Sequence, residues 1–146
     1  MMKVVVTGSA GFIGSHLTKV LLNENFEVLG IDNHNDYYDP SLKEARLANF
    51  IENENYSHKK INLEDKKIIE VIQSFQPKII IHLAAQAGVR YSLKNPYAYL
   101  DSNIYGFMNI LEASRSIDLD HLLYASSSSV YGGNLKLPFS EKDSVD

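Results

Sequence analysis

The sequence of 146 residues contains no cysteine, which excludes both a disulfide framework and thiolate chemistry. It also lacks an apolar run of the roughly 18 residues that a membrane-crossing helix needs. Acidic residues (18) outnumber lysine and arginine (14), and no basic stretch is long enough to follow a nucleic-acid backbone. The N-terminus enters a strand pattern at once, without the regions of a signal peptide. These absences predict a cytoplasmic protein that binds neither nucleic acid nor membrane.

The composition is that of an ordinary globular domain. Apolar residues make up 45% of the chain and charged residues 22%, and the length is sufficient for one domain with a sizeable core. We therefore expect one domain over 1–146, without repeats or interdomain linkers, and no metal site.

Short apolar strands alternate with helical patterns, which is typical of βαβ units and a parallel sheet. Strands are predicted at 3–7, 26–31, 59–63, 78–83 and 121–125. Helices are predicted at 12–24, 65–75 and 96–117, with a further helix that begins near residue 40. The predicted fold class is α/β, a doubly wound parallel sheet of the Rossmann type, whose ligands lie at the carboxyl ends of the strands.

Periodicity and capping signals refine the predicted helices. The core face of the first helix is predicted to carry Ile13, Leu17, Val20 and Leu21, and that of the long helix Ile104, Phe107, Met108 and Leu111. The helix near residue 40 has two possible starts. One is Asp39 followed by proline at the first helical position, and the other is a capping box of Ser41 and Glu44.

The segment Thr7–Gly14, with the spacing G-x-x-G-x-x-G, connects the first strand to the first helix. Strand, glycine-rich turn and helix start come in the order that a pyrophosphate-binding turn requires. Its glycines fit a tight turn, a close approach of phosphate to backbone, and close packing of helix on strand. A plain strand-to-helix turn is the alternative on these residues alone.

Asp32 closes the second strand, roughly 20 residues beyond the glycine turn, where a carboxylate accepts both ribose hydroxyls of an adenosine and repels a 2′-phosphate. No arginine stands after it at position 33, so NAD is favoured over NADP. Nearby Lys43 and Arg46 count against this preference, and an aspartate that merely caps a loop is the alternative.

Three further segments carry candidate residues. Small residues come after His82 at the end of the fourth strand, where they admit either a flat ligand or a tightly packed helix; His82 itself is predicted to be a core histidine. Asn103 is a poor helix-interior residue and either binds a neighbouring loop or lies at the surface. The serines of 126–129 either form a turn or bind a substrate hydroxyl, and no histidine or acid beside them suits a hydrolase triad.

With these motifs assembled, the whole chain resembles the extended short-chain dehydrogenases/reductases of the nucleotide-sugar epimerase/dehydratase family. The motifs are those of 7–14, Asp32-Asn33, 82–85 and 126–132. Within the family the chain resembles UDP-glucuronate 4-epimerases, through segments 30–39 and 85–92.

The resemblance implies a role for each motif. It implies that NAD is the cofactor and a UDP-sugar the substrate, and that the full-length enzyme is a homodimer. Cofactor contacts are implied for Gly8, Gly11, Phe12, Ile13, Gly14, Asp32, Asn33, Asn62, Leu83, Ala84 and Ala85, with Asn103 supporting the active-site loop. Ser127 corresponds to the catalytic serine or threonine. Arg90, which is equally consistent with a surface arginine, and Ser128 are candidate substrate contacts.

The chain departs from the family pattern in two places. Asn62 replaces the usual aspartate at the adenine, although its amide oxygen still accepts the same hydrogen bond. The family's catalytic Tyr-x-x-x-Lys is expected beyond Asp146, and the single match, Tyr56–Lys60, leads into a strand and is a decoy. We therefore expect residues 1–146 to be the N-terminal NAD-binding part of a longer enzyme, without its substrate domain and inactive alone.

The leading hypothesis is an NAD-dependent UDP-hexose 4-epimerase, with UDP-glucuronate as the expected substrate, acting by transient oxidation at C4. One alternative is a nucleotide-sugar 4,6-dehydratase. Related dehydratases carry Asp-Glu after the serine or threonine, whereas this chain has Ser128 and Ser129. A non-catalytic NAD-binding module is the second alternative.

Overall fold

A computed structural model describes residues 1–145. Its centre is a parallel five-stranded sheet with strand order β3-β2-β1-β4-β5. The strands are β1 (Lys3–Thr7), β2 (Glu27–Asp32), β3 (Tyr56–Lys60), β4 (Ile79–His82) and β5 (His121–Tyr124). The chain builds outward from β1 to β3 and then returns to place β4 beside β1, which puts the topological switch point between β1 and β4. The doubly wound α/β fold predicted from the sequence is confirmed.

The helices cover both faces of this sheet. They are α1 (Phe12–Asn23), α2 (Pro40–Leu47), α3 (Lys67–Phe75), α4 (Val89–Ser92), α5 (Tyr97–Tyr99) and α6 (Gly106–Arg115), with a π-helical segment at Leu100–Tyr105 and a 3₁₀ turn at Ser128–Tyr131. Successive residues of β1 point to opposite faces. Val5 therefore packs in one core cluster with Ile68 and Ile110, while Val4 and Val6 pack in the other.

The third strand begins three residues earlier than the predicted 59–63. Its only buried side chain is that of Tyr56, which packs edge-on against Phe50 with 4.9 Å between ring centroids. The apolar residues that suggested a later strand, Ile61 and Leu63, instead come after β3 and line a cleft. The prediction was wrong because one buried aromatic anchors this edge strand, and apolar alternation does not mark it.

The predicted core face of the first helix was wrong in part: Leu21 packs against the core and Leu17 is half-buried, but the other two predicted residues are not buried. The buried residues of α1 are Gly14, Ser15, Thr18 and Leu22. Ile13 and Val20 are exposed. Small side chains face the sheet because α1 packs closely against the glycine turn, so apolar size does not identify the buried side.

The predicted long helix is interrupted. Its first turns are α5 and the π-helical segment, and only α6 is a regular helix. The wider π turn adds a residue to the helical path and changes the angular position of the residues in α6. Asn109, Ile110 and Ala113 consequently face the core. Of the predicted face, Phe107 packs against the core, whereas Ile104, Met108 and Leu111 are exposed.

Candidate functional site

The glycine turn lies at the carboxyl end of β1. Gly8 has a φ of +72° and its N–H donates to the carbonyl of Ile31 (2.7 Å), while Gly11 N–H donates to the carbonyl of Gly8 (2.9 Å). Helix α1 then begins without a side-chain cap. The first N–H groups of α1 are therefore available to a ligand, and together with the positive end of the helix dipole they favour an anion such as a diphosphate.

Close packing makes glycine necessary at position 14. A Cβ atom there would lie 2.7 Å from the carbonyl carbon of Gly8 and overlap its oxygen. On the other side of the turn, a Cβ at Gly8 would lie 2.9 Å from the backbone nitrogen of Ala84. The turn is thus held between α1 and the segment after β4. Its shape requires glycine at both positions, because a Cβ atom at either one would clash with neighbouring backbone.

Asp32 lies buried at the end of β2, where its carboxylate accepts from three donors of the protein. Its Oδ2 accepts from Ala10 N–H (3.2 Å), and its Oδ1 accepts from His34 N–H (2.9 Å). The ammonium of Lys43 forms an ion pair with Oδ1 at 2.9 Å, with 9% of the lysine side chain and 5% of the aspartate side chain exposed. The carboxylate therefore presents a charge-compensated site to a ligand.

Helix α2 positions this lysine. Asp39 caps the helix by accepting from Ser41 N–H (2.9 Å), and Pro40 occupies the first helical position, so the first of the two predicted starts is the observed one. The Asp39 pKa lies below its usual value because the carboxylate accepts this hydrogen bond from Ser41. Lys43 then faces inward, where its Nζ also lies 3.4 Å from Asn35 Oδ1.

These parts enclose a cleft of about 530 Å³ over the carboxyl ends of the central strands. Ten of the predicted cofactor residues line it: Gly8, Gly11, Phe12, Ile13, Gly14, Asp32, Asn33, Leu83, Ala84 and Ala85. Asn62 lies in an adjoining polar cavity of about 280 Å³, to which Asn33 also contributes. The structure thus brings together the residues predicted from three separate strand ends.

Asn103 stands behind the cleft and lines neither cavity. Its Oδ1 accepts from Gln86 N–H (2.8 Å) and its Nδ2 donates to the Gln86 carbonyl (3.0 Å). Of the two possibilities left open by the sequence, the structure shows the contact with a neighbouring loop. Asn103 acts on the cleft through the backbone of Gln86, a residue that the sequence analysis did not single out.

The remaining predicted residues lie outside both cavities. Ser127 is exposed after β5, where it accepts from Ser129 N–H (3.2 Å) and donates to Ser129 Oγ (3.1 Å). Ser128 begins the 3₁₀ turn, and Arg90 is exposed in α4. Ala125 is the residue of this strand end that lines the cleft. The roles of Ser127, Ser128 and Arg90 remain predictions.

A buried network joins the end of β1 to the segment after β4. Thr7 Oγ1 accepts from the N–H groups of Leu83 (3.2 Å) and Ala84 (3.1 Å). Its own proton is therefore directed to His82 Nδ1, 2.8 Å away, which must be an unprotonated acceptor. Burial lowers the pKa of His82 to about 4, in agreement with a neutral ring.

From this network we predict that the folded state loses stability in acid. The folded-state pKa of His82 (about 4) lies below the usual value of 6.5. Between pH 4 and pH 6.5 the unfolded chain therefore binds a proton at this histidine more readily than the folded protein does. Stability should fall as the pH drops from 6.5 towards 4, by about 3 kcal/mol in total. Chemical unfolding at a series of pH values measures this loss. His34 and His58 add to it, since burial also lowers both of their pKa values.

The His82→Gln variant isolates the contribution of the network. Its unfolding free energy should depend less on pH between 6.5 and 4 than that of the unmodified protein. The matched control is His121→Gln, at an exposed position, which should keep the original slope. An unchanged slope in His82→Gln would contradict the assignment.

Tyr56 of the Tyr-x-x-x-Lys match lies in strand β3, as expected for a decoy. Its hydroxyl donates to Ser9 Oγ (3.3 Å) and lies 3.0 Å from His58 Nδ1. Burial raises its pKa to about 12. A phenol with so high a pKa is a poor general base at neutral pH.

Sequence reasoning missed several residues that line the cleft, among them Tyr37, Tyr38, Gln86 and Ser102. The loop positions of the two tyrosines carry no periodic signal. Within residues 1–145, no helix is long and apolar enough to cross a membrane. The same residues contain no group of three or more potential metal ligands.

Comparison with known proteins provides independent information. A family model described as GDP-mannose 4,6 dehydratase matches residues 5–146. Protein CapI of Staphylococcus aureus is 53% identical to this chain over 146 aligned residues. The alignment covers 99% of this chain and 43% of the length of CapI. A probable UDP-glucuronate 4-epimerase of Rhizobium meliloti is 46% identical, and the alignment covers 99% of this chain and 43% of that protein. The chain thus spans less than half the length of these curated relatives.

A solved structure extends the comparison to three dimensions. UDP-glucuronic acid 4-epimerase from Bacillus cereus, in complex with UDP-glucuronic acid and NAD, superposes with a TM-score of 0.87 at 33% identity. The match covers 99% of this chain and 46% of that one.

Proposed function

Since the chain belongs to the family described as GDP-mannose 4,6 dehydratase, we propose that it is the NAD-binding part of a UDP-sugar 4-epimerase acting on UDP-glucuronate. The observation that carries the proposal is the cleft in which a glycine turn, an uncapped helix start and Asp32 face one space. The relatives and the solved structure that bear this activity in their names support the choice of reaction.

The residues of the cleft fit NAD in chemical terms. The first N–H groups of α1 suit the diphosphate, and the carboxylate of Asp32 suits the ribose hydroxyls of the adenosine. Leu83, Ala84 and Ala85 offer small apolar surface for a flat ring. Lys43, paired with Asp32, adds a donor beside the same ribose.

When bound, NAD would supply the hydride acceptor for the transient oxidation of C4 of the sugar, and the reduced cofactor would supply the hydride for the re-reduction. Ser127 would donate a hydrogen bond to the C4 oxygen from the end of β5. The proton of the C4 hydroxyl needs a base, and Tyr56 does not meet this need because it is buried with a pKa of about 12. We therefore assign cofactor binding to residues 1–146 and expect no turnover from them alone.

A 4,6-dehydratase is the competing function, and the description of the family model favours it. Elimination of water requires an acid and a base near C5 and C6 of the sugar. The positions after Ser127 are Ser128 and Ser129, which supply neither. These two residues favour epimerisation over dehydration.

The test uses the protein made from its complete reading frame. Incubation with UDP-glucuronate, UDP-glucose and dTDP-glucose, followed by NMR, should show 4-epimerisation of UDP-glucuronate. A 4-keto-6-deoxy product would identify a dehydratase, whereas NAD binding without any product would identify a binding module. Calorimetry of residues 1–146 with NAD and NADP tests the role of Asp32, and equal affinities would contradict it.

We also propose that the full-length enzyme is a homodimer. Ile104, Met108 and Leu111, which were expected in the core, are exposed on consecutive turns at and after the π-helical segment. Such a surface is typical of a helix that packs against a partner. Analytical ultracentrifugation of the full-length protein, with Met108→Lys as the disrupting variant, tests this proposal.

A further inference from the structure

Two loops that belong to different strands meet above the glycine turn. Strands β2 and β4 lie on opposite sides of β1, about 10 Å apart in a parallel sheet. Tyr37 in the loop after β2 packs against Tyr91 in the segment after β4, with 4.9 Å between ring centroids. A contact between these loops has to pass over the carboxyl end of β1, where the glycine turn begins.

The contact continues into the backbone on the β4 side. Gly88 has a φ of +94°, and a Cβ atom there would lie 3.2 Å from Tyr37 Cζ and overlap its hydroxyl oxygen. Tyr91 in turn lies beside Tyr99, with 6.4 Å between ring centroids. The Tyr99 hydroxyl is within hydrogen-bond reach of the carbonyls of Ala87 (3.0 Å) and Gly88.

We propose that Tyr37, Tyr91, Tyr99 and Gly88 form a tyrosine strap that closes over the bound dinucleotide and slows its release. Tyr37 lines both the 530 Å³ cleft and the adjoining 280 Å³ cavity, and Tyr91 lines the second of them, so the contact between these rings lies where the two cavities meet. A ligand that lies on the glycine turn leaves only after Tyr37 separates from Gly88 and Tyr91. Tyr37 is a positioning residue that acts on the lifetime of the complex.

The inference of a strap rests on the proposed function, and the strap would meet one requirement of that function, the retention of the cofactor. An epimerase regenerates its NAD within each catalytic cycle and therefore gains nothing from cofactor exchange. A closed cleft keeps the cofactor in place between cycles. A dehydrogenase that releases NADH after each turnover would be slowed by the same closure.

The test measures release of NADH from the full-length protein. NADH-loaded protein is mixed with excess NAD, and the loss of NADH fluorescence gives the dissociation rate. Tyr37→Ala should raise this rate about tenfold, the factor that corresponds to the loss of one aromatic contact. Tyr37→Phe keeps the ring and should release NADH at nearly the original rate.

Two further variants separate the strap from general damage. Gly88→Ala retains the side chains of all three tyrosines but displaces that of Tyr37, and should accelerate release as Tyr37→Ala does. Leu135→Ala, at an exposed position outside both cavities, is the control and should change nothing. Melting temperatures are recorded for all variants, because a merely structural role would lower stability without a specific effect on release.

The outcomes distinguish the strap from the proposed function. Equal release rates from Tyr37→Ala and the unmodified protein would overturn the strap while NAD binding stands. Acceleration by Tyr37→Phe as large as that by Tyr37→Ala would overturn the assignment to ring packing. Absence of NADH binding to the unmodified protein would overturn the proposed function together with the strap.

Discussion

Replacing Asp32 with alanine is expected to raise the dissociation constant of NAD about a thousandfold. Both ribose hydroxyls would lose a charged acceptor, and each such hydrogen bond contributes about 2 kcal/mol. The substitution would also lower the free energy of unfolding by about 3 kcal/mol, because Lys43 would remain buried without its partner. Calorimetry measures the first effect and chemical denaturation the second.

A double-mutant cycle with Lys43→Met separates these two effects. The buried charges would be removed together in Asp32→Ala/Lys43→Met, so most of the lost stability should return while NAD binding stays weak. If the stability losses of the single variants simply add in the double variant, the ion pair does not have the assigned energetic role.

The same Asp32→Ala variant should bind NADP with less loss than NAD. Lys43 would then be free to meet a 2′-phosphate. Arg46, whose guanidinium lies 6.0 Å from the centre of the Phe12 ring at the edge of the glycine turn, adds a second cation. Parallel losses of affinity for the two cofactors would show that the carboxylate does not determine the preference.

Replacing Gly14 with alanine should raise the dissociation constant of NAD about a hundredfold and destabilise the fold by about 2 kcal/mol. The new methyl group would push the Gly8 carbonyl away and tilt the first turn of α1, so the helix N–H groups would no longer converge on the diphosphate. Calorimetry and thermal unfolding measure the two effects.

Gly133→Ala is the matched control for this prediction. A Cβ atom at position 133 meets nothing within 4 Å, so the same chemical change should leave both binding and stability unaltered. Wild-type affinity in the Gly14→Ala variant would contradict the structure of the turn.

The sequence predicted the features that depend on local order along the chain. The glycine turn, Asp32 and the small residues after His82 each come directly after a recognisable strand, and parallel strands bring their carboxyl ends to one edge. The fold class and ten of the cleft residues could therefore be predicted from the sequence.

Features that depend on contacts between distant segments could not be placed in this way. The sequence put Lys43 only in the neighbourhood of Asp32, and the ion pair results from how the capped helix α2 packs against β2. The contact between Tyr37 and Gly88 joins loops that lie about fifty residues apart in the chain, and neither loop has a periodic pattern. The π-helical segment also left no periodic signal, so two exposed residues of α6, Met108 and Leu111, were assigned to its buried side.

The π-helical segment Leu100–Tyr105 has a consequence for motion within the site. It carries Asn103, which holds the backbone of Gln86 by two hydrogen bonds. This segment has no buried residue, whereas α6 has four, so the segment should open before α6 does. Hydrogen exchange of its amides should run ahead of exchange in α6 and in step with that of Gln86. The wall of the cleft would then fluctuate on the timescale set by one irregular turn of helix.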